Sequence, residues 1–498
     1  MTKNKTIKIN LREKENIELE NIKYKNGLFI FRRDLRIVDN ISLNLLNKKC
    51  KNIYTIFIFT PEQVGKENKF KSDNCVQFMI ESLEDLNREI NHKGGKLYTF
   101  YGENNYIVKQ CIKEFDIEVV SFNYDVTPYA INRDNEIINI CNTLNINFIV
   151  DNDYFLYEPR SILNGSGNVY QKFTPYYLQT LHEKSKINEP TNLNSSVSQH
   201  FAKKDLHLNH QISLKTSMDK FVSKINTNIL VNGGRKNAIK ILHTAVKNLN
   251  TSYSHTKDFF GKDTSHLSAY LKFGCVSVRE VYDKMINKDF RRQLIWREFY
   301  ANLMFEYPDL LYESKHFYLK PKYNKIKWLN NKSWLKKWCD AETGFPLIDA
   351  GMRELNQTGY MHNKLRLITC CFLIKTLLIN WRYGEKYFAN KLTDYDPIQN
   401  NLNFQWILGS TFSAQEYYRF FNPFSQSEKY DPNCEYIKKW IHELKDVPAK
   451  DINKWNEKWM DYLNHNTKNN VNINYPKPIC DFSEQREKCL KLYKEALH

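Results

Sequence analysis

The chain lacks any Cys-x-x-C, and its eleven cysteines are an odd number. A disulfide framework and a thiolate-bound zinc or iron–sulfur site are thereby disfavoured, and a reducing compartment is expected, cytoplasm or nucleus, with a viral source left open. No apolar run approaches the roughly 18–20 residues of a membrane span, so no membrane partner is expected. Residues 1–25 are rich in Lys, Asn and Glu and hold no apolar core. They show no secretory signal and read as a disordered leader. No Walker A pattern and no H-E-x-x-H occur. NGSGN at 164–168 has two glycines but no third, so it reads as a turn rather than a dinucleotide fingerprint. Acidic residues are in the minority: 56 Asp and Glu against 73 Lys and Arg leave a formal charge of +17. That balance suits a polyanionic partner, although coding rich in Lys, Asn and Ile would also produce it.

What is present is 498 residues, 42% hydrophobic. That suffices for two or three domains with cores of their own. Residues 26–160 alternate short β-rich runs with helical patterns. The runs are GLFIF (27–31), NIYTIFIF (52–59), KLYTFY (96–101), EVVSFNY (118–124) and NINFIVD (145–151), and 76–90 is one of the helices between them. The alternation predicts a doubly wound parallel sheet, whose ligands sit beyond the carboxyl ends of the strands. FRRDLRIVDN (31–40) follows the first strand at such an end. Residues 161–225 lose periodicity and read as a long linker over the surface. An all-helical domain is expected over 226–498, opened by the turn in NGGRKNAIKIL. Within it, Thr264 and Ser265 precede the apolar helix that begins at Leu267 and Ser268. Two hydroxyls there would cap the helix, whose free N–H groups suit a phosphate.

The densest chemistry lies in 343–423. A Gly-Phe-Pro turn opens it, and a helix follows over 347–355, ended by Gln357-Thr358-Gly359. A second helix over 363–379 is apolar almost all round, interrupted by Lys364, Arg366 and Lys375. A helix of that kind belongs inside a large domain, so Arg366 needs a partner, for which Asp394 and Asp396 are the candidates. With His362, Asn363, Asn400, Asn401, Gln405, Trp381 and Trp406 nearby, the segment predicts a pocket for a flat ligand with a polar edge.

TGFPLIDAGMRELNQTGYMHNKLR, WRYGEKYF, DYDPIQNN and FNP occur in that order. In this the chain resembles the photolyase/cryptochrome flavoproteins over about 26–455, most closely the class I enzymes that split cyclobutane pyrimidine dimers. The resemblance implies FAD in the helical domain. It also implies a second antenna chromophore, a folate or a deazaflavin, in the α/β domain. Thr264, Ser265, Leu267 and Ser268 would hold the FAD phosphates, with Tyr253, Arg297, Arg366, Asp394, Asp396 and Asn400 around the flavin. Trp296, in the family's Trp-Arg-Glu core, would stack on an extruded base. Gln293, Asn363 and Asn400 would face lesion or flavin. Trp381 and Trp328 would carry electrons. The implied partner is double-stranded DNA with UV lesions, bound as a monomer without sequence preference.

Three positions depart from the class I pattern. Gln293 stands where a Glu is usual and resembles the six-four photolyases. Leu367 stands where six-four enzymes have a His, and without it their proton relay lacks its donor. Asn363 is the dimer-type choice. Phe404 replaces the flavin-proximal Trp of the electron chain, so photoreduction is expected to be impaired, or rerouted through Trp406 or a Tyr. The readings are dimer repair, six-four repair, and a blue-light receptor of the cryptochrome type without repair. The last is disfavoured by the short segment after Trp455. A fourth ignores the resemblance: a nucleotide-binding α/β protein with a helical nucleic-acid module.

Overall fold

Near-continuous apolar runs need cover on both faces, and parallel strands with crossover helices supply it. Five such runs form strands β1 (Tyr24–Phe31), β2 (Cys50–Phe59), β3 (Leu97–Tyr101), β4 (Val119–Asn123) and β5 (Asn147–Asp151). They make one parallel sheet in the order β3-β2-β1-β4-β5. Helices α1 (Ile41–Lys49), α2 (Asp73–His92), α3 (Asn104–Glu114) and α4 (Pro128–Thr143) alternate with the strands. Leu28 and Ile30 are matched across the sheet by Tyr54, Ile56 and Val120, all buried. The structure, a computed structural model, describes residues 23–183, 186–191, 200–311, 318–414, 418–463 and 473–497. The leader read over 1–25 lies almost wholly outside them.

The chain divides into two compact units. The first takes the described residues up to Ile225 together with Val231–Asn250 and Ser265–Pro308. The second takes Asn226–Leu230, Thr251–Thr264 and the described residues from Asp309 on. Within the first unit, buried charge ties Ser265–Pro308 to the residues of the α/β part. Behind β1, Arg36 pairs with Asp153 at 2.7 Å. Arg279 reaches both Asp39, at 3.1 Å, and Asp153, at 2.7 Å. All four side chains are almost fully enclosed. Each needs the others, because a buried charge without a partner is costly. At the turn read from NGGRKN, Gly233 N–H donates to Glu81 Oε2 at 2.7 Å. A Cβ on Gly233 would lie 2.2 Å from the Phe78 carbonyl oxygen, so only glycine allows this approach to α2.

Some described residues of the segment read as a linker meet the sheet or are buried. Phe201 bridges to Ile53 and Gln211 to Phe100, while Leu208 and Phe221 are buried. Helices α5 (Phe173–His182) and α6 (Lys288–Glu306) also belong to the first unit.

The second unit is helical. Its core holds the fully enclosed rings of Trp338, Trp381 and Trp455. Helices α7 (Pro346–Thr358), α8 (Asn363–Cys371), α9 (Trp381–Lys391) and α10 (Pro397–Leu408) carry the 343–423 segment. Gly359, at φ +68°, ends α7 in the left-handed cap that glycine favours. The single helix expected over 363–379 is broken: α8 passes into a π-turn at Phe372–Thr376, and Leu378 leaves helical geometry at φ +53°. No helix among the described residues is long and apolar enough to cross a membrane.

Candidate active site

Asp349, in the first turn of α7, ties down the turn that leads into that helix. Fully buried, it accepts from Thr343 N–H (2.9 Å), the Thr343 hydroxyl (2.7 Å), Gly344 N–H (2.9 Å) and the Tyr475 hydroxyl (2.5 Å). Burial outweighs these donors and pushes its carboxyl up to about 6. At the start of α8, His362 caps the helix, its Nδ1 accepting from Lys364 N–H at 3.2 Å.

Arg366, one turn in, donates from Nη1 and Nη2 to the two oxygens of Asp394 at 3.1 and 2.9 Å, and from Nε to the Met361 carbonyl at 2.8 Å. The partner expected for this arginine is thus Asp394. Asp396 instead caps α10, accepting from Ile398 and Gln399 N–H at 2.9 and 3.1 Å. Asn400 donates its amide to the Glu385 carbonyl at 3.0 Å. Asn363, Arg366, Asp394, Asp396 and Asn400 all line one cleft, which holds about 480 Å³ of space, its open mouth included. The other wall is apolar: Leu367, Cys370, Phe388, Leu392 and Phe404.

A lining of amides and an ion pair beside aliphatic groups and two phenyl rings suits a flat heteroaromatic ligand whose edge carries both donors and acceptors. The isoalloxazine of FAD has that form, so the lining fits it. Gln399 and Asn403 also line the cleft, and sequence reasoning passed over both. Their spacing could have found them, since Asp396, Gln399, Asn400 and Asn403 fall at i, i+3, i+4 and i+7 on one face of α10.

The remaining expected residues of the second unit lie outside this lining. Trp381 is fully buried behind Phe404, ring centroids 6.5 Å apart. Tyr318 stands 6.0 Å from Trp381, and Trp328 meets Tyr493 edge-on at 6.4 Å. Tyr253 begins a four-residue helix and is half-buried. Thr264 does not cap the following helix. Its hydroxyl is hydrogen-bonded to the Tyr360 hydroxyl at 2.8 Å.

In the first unit, the helix after Ser265 spans only Ser268–Lys272. Its cap residue is Leu267, with no side-chain bond to the helix. Ser265 Oγ accepts only a long bond, 3.4 Å, from Leu267 N–H. The capping expected of Thr264 and Ser265 is therefore absent, because the chain enters the helix with Leu267 already at helical φ and ψ.

On α6, Gln293 is exposed. Trp296 is half-buried and stacks on Phe173 at 3.6 Å and 7°, which leaves one ring face uncovered by that residue. Arg297 donates to the Tyr154 carbonyl at 2.6 Å and pairs with Glu298 at 3.1 Å. Glu298, in the sequence no more than part of a motif, is a buried anchor. It accepts from Leu156 N–H at 2.9 Å, and burial pushes its carboxyl up to about 7.

Family models match both parts of the chain: residues 28–194 as DNA photolyase and residues 290–495 as the FAD binding domain of DNA photolyase. A deoxyribodipyrimidine photo-lyase of Buchnera aphidicola is 32% identical over 94% of this chain and 98% of its own length. The archaeal photolyase of Sulfolobus tokodaii, solved with two FAD molecules, is 34% identical with a TM-score of 0.81. That match covers 94% of this chain and all of the other. A class III photolyase from Agrobacterium tumefaciens is 26% identical with a TM-score of 0.85, over 97% and 99%.

Proposed function

The chain belongs to the photolyase/cryptochrome family, and from that premise we propose that it splits cyclobutane pyrimidine dimers in DNA under blue light. The observation that carries the reading is the two-walled cleft with its Arg366–Asp394 pair, inside the stretch that matches the FAD binding domain. Reduced FAD supplies the excited electron for such chemistry. The work of the chain's own residues is to hold and orient. Arg366, Asp394, Asp396 and Asn400 bind the flavin edge, assisted by Tyr253 and Arg297, while Thr264, Ser265, Leu267 and Ser268 serve the phosphates. Asn400, an amide, has no proton to give at neutral pH, which suits a cofactor that must stay reduced and anionic.

Trp296 offers a ring face to an extruded base, and Asn363 and Gln293 give hydrogen bonds to its edge. Gln293 cannot ionise, so dimer repair is weakened rather than lost. Trp381 and Trp328 belong to the electron line, with Phe404 at its inner end. The positive charge grips phosphates without reading sequence, and the protein acts as a monomer in a reducing compartment. A second chromophore belongs to the α/β part, as the second FAD of the Sulfolobus relative suggests.

The test is repair by purified protein whose flavin has been chemically reduced, illuminated with DNA carrying a cyclobutane dimer or a six-four lesion. Dimer loss only in blue light is expected. Six-four loss would show that Leu367 does not bar that chemistry. A flavin spectrum without repair of either lesion would move the assignment to a light receptor.

A further inference from the structure

Phe404 closes the usual way out of the cleft for an oxidising hole, since a phenyl ring is much harder to oxidise than an indole. A second ring leads elsewhere. Phe388, also on the cleft lining, touches Phe404 edge-on at 5.3 Å. It also stacks parallel to Trp338, centroids 5.9 Å apart and planes within 8°. Trp338 in turn meets Tyr387 at 5.6 Å. Trp338 and Trp381 are thus each in ring contact with one phenylalanine of the cleft lining.

The surroundings of the two indoles differ. Arg382 lies 4.2 Å over the Trp381 ring. A cation on an indole face opposes removal of an electron from it, for the same reason that it is attracted to the neutral ring. Glu385, 2.7 Å from Arg382, offsets part of that charge. Among the described residues no Lys or Arg lies over Trp338. Its N–H donates to the Thr369 carbonyl at 3.2 Å, which adds electron density to the ring. Tyr387, half-buried, has its hydroxyl 2.7 Å from both the Cys339 carbonyl and Asn356 Oδ1.

We propose that Trp338, with Tyr387 behind it, is a second electron-donor branch for light-driven reduction of the flavin in this cleft, and that it carries more of the current than the line through Trp381 and Trp328. The inference rests on the flavin reading above. One electron leaves the Trp338 ring for the photoexcited flavin, and the hole moves to Tyr387. The phenol then releases its proton towards solvent, and a thiol in solution returns the electron. Lys391, 5.5 Å from the Tyr387 ring, opposes a positive charge there as Arg382 does at Trp381, so the hole settles on Tyr387 only as the phenol proton leaves.

The test uses flavin-loaded full-length protein under blue light, without oxygen and with a thiol reductant. It follows bleaching of the oxidised flavin band. Trp338→Phe is expected to slow bleaching by about tenfold, and by more than Trp381→Phe does. Because Trp338 is fully buried, Tyr387→Phe is the second variant. It removes one hydroxyl from a half-buried ring and is expected to slow net bleaching about threefold or more. A greater loss in Trp381→Phe than in Trp338→Phe overturns the route. So do wild-type rates in Trp338→Phe and Tyr387→Phe. Protein that retains no flavin even after reconstitution overturns the flavin reading and the route together, an outcome distinct from bleaching at an unchanged rate.

Discussion

Asp394 holds the only pair of oxygens placed against both Arg366 terminal nitrogens among the described contacts. Its side chain is 6% exposed and that of Arg366 23%. Asp394→Ala leaves a mostly enclosed guanidinium with the Met361 carbonyl as its remaining hydrogen-bond acceptor among the described contacts, beside the Tyr360 ring at 5.6 Å. The full cost of stranding a buried charge is about 3–5 kcal/mol, and solvent at Arg366 lowers it to about 2–3 kcal/mol here. Denaturant unfolding of the flavin-free variant should show that loss, and flavin retention should fall with it. An unchanged midpoint would mean that the pair contributes nothing to the fold.

Glu298 gives a pH prediction of defined sign. Its carboxyl is free to ionise near 4.5 in the unfolded chain and holds its proton up to about 7 when folded. Between those values the folded state binds more proton, so stability is complete below about 4.5 and is lost as pH rises through about 7. Burial is the cause, and the ceiling of the effect is about 3 kcal/mol. Glu298→Gln should flatten the stability profile between about pH 5 and 7.5, measured by chemical denaturation at each pH. An equally steep profile in the variant would assign the slope to other groups. Asp349 has the same sign over a lower window, raised to about 6. At this scale the sequence is informative about what a residue needs and poor about who meets the need. Arg366 required a carboxylate, and one lay 28 residues on. Nothing local pointed Thr264 to Tyr360, 96 residues away.

Helices α9 and α10 approach closely at Gly384. A Cβ there would stand 2.4 Å from Leu373 Cδ2 and 2.7 Å from Phe404 Cε1. Gly384→Ala must move the Phe404 ring, which lines the cleft. Overpacking of this kind costs about 1–3 kcal/mol, and the displaced ring should lower flavin occupancy in purified protein. Full occupancy with normal stability would show that the helices can part without cost.

The strands, by contrast, were legible to within about three residues, because period, β-branched content and turn residues all agreed. The π-turn was not legible. Phe372–Thr376 has the composition of any buried helix, so nothing in it marks the change of hydrogen-bond register. The absent cap at Thr264 and Ser265 is the opposite case: a valid local signal was overridden by where the chain had to go.

Across the whole chain, the buried ion pairs of the first unit escaped the sequence because their partners lie far apart along it. Arg279 lies 240 residues from Asp39, a separation no periodicity reports. Net charge, however, is a whole-molecule property that composition states directly. An excess of 17 positive charges has a measurable consequence if DNA is the partner. Neutralising about six phosphates would lower affinity about a thousandfold between roughly 50 and 200 mM salt, by release of condensed counterions.

That loss concerns the phosphate contacts alone. Hydrogen bonds and stacking on an extruded lesion release no counterions. Plots of log affinity against log salt for undamaged and dimer-bearing duplexes should therefore be parallel, the lesion duplex binding more tightly by a constant factor. Fluorescence anisotropy over a salt series measures both lines. A slope near zero would reduce the charge to a by-product of Lys-rich coding. Lines that converge at high salt would mean that recognition of the lesion is itself electrostatic, and that Trp296 and Asn363 do not carry it.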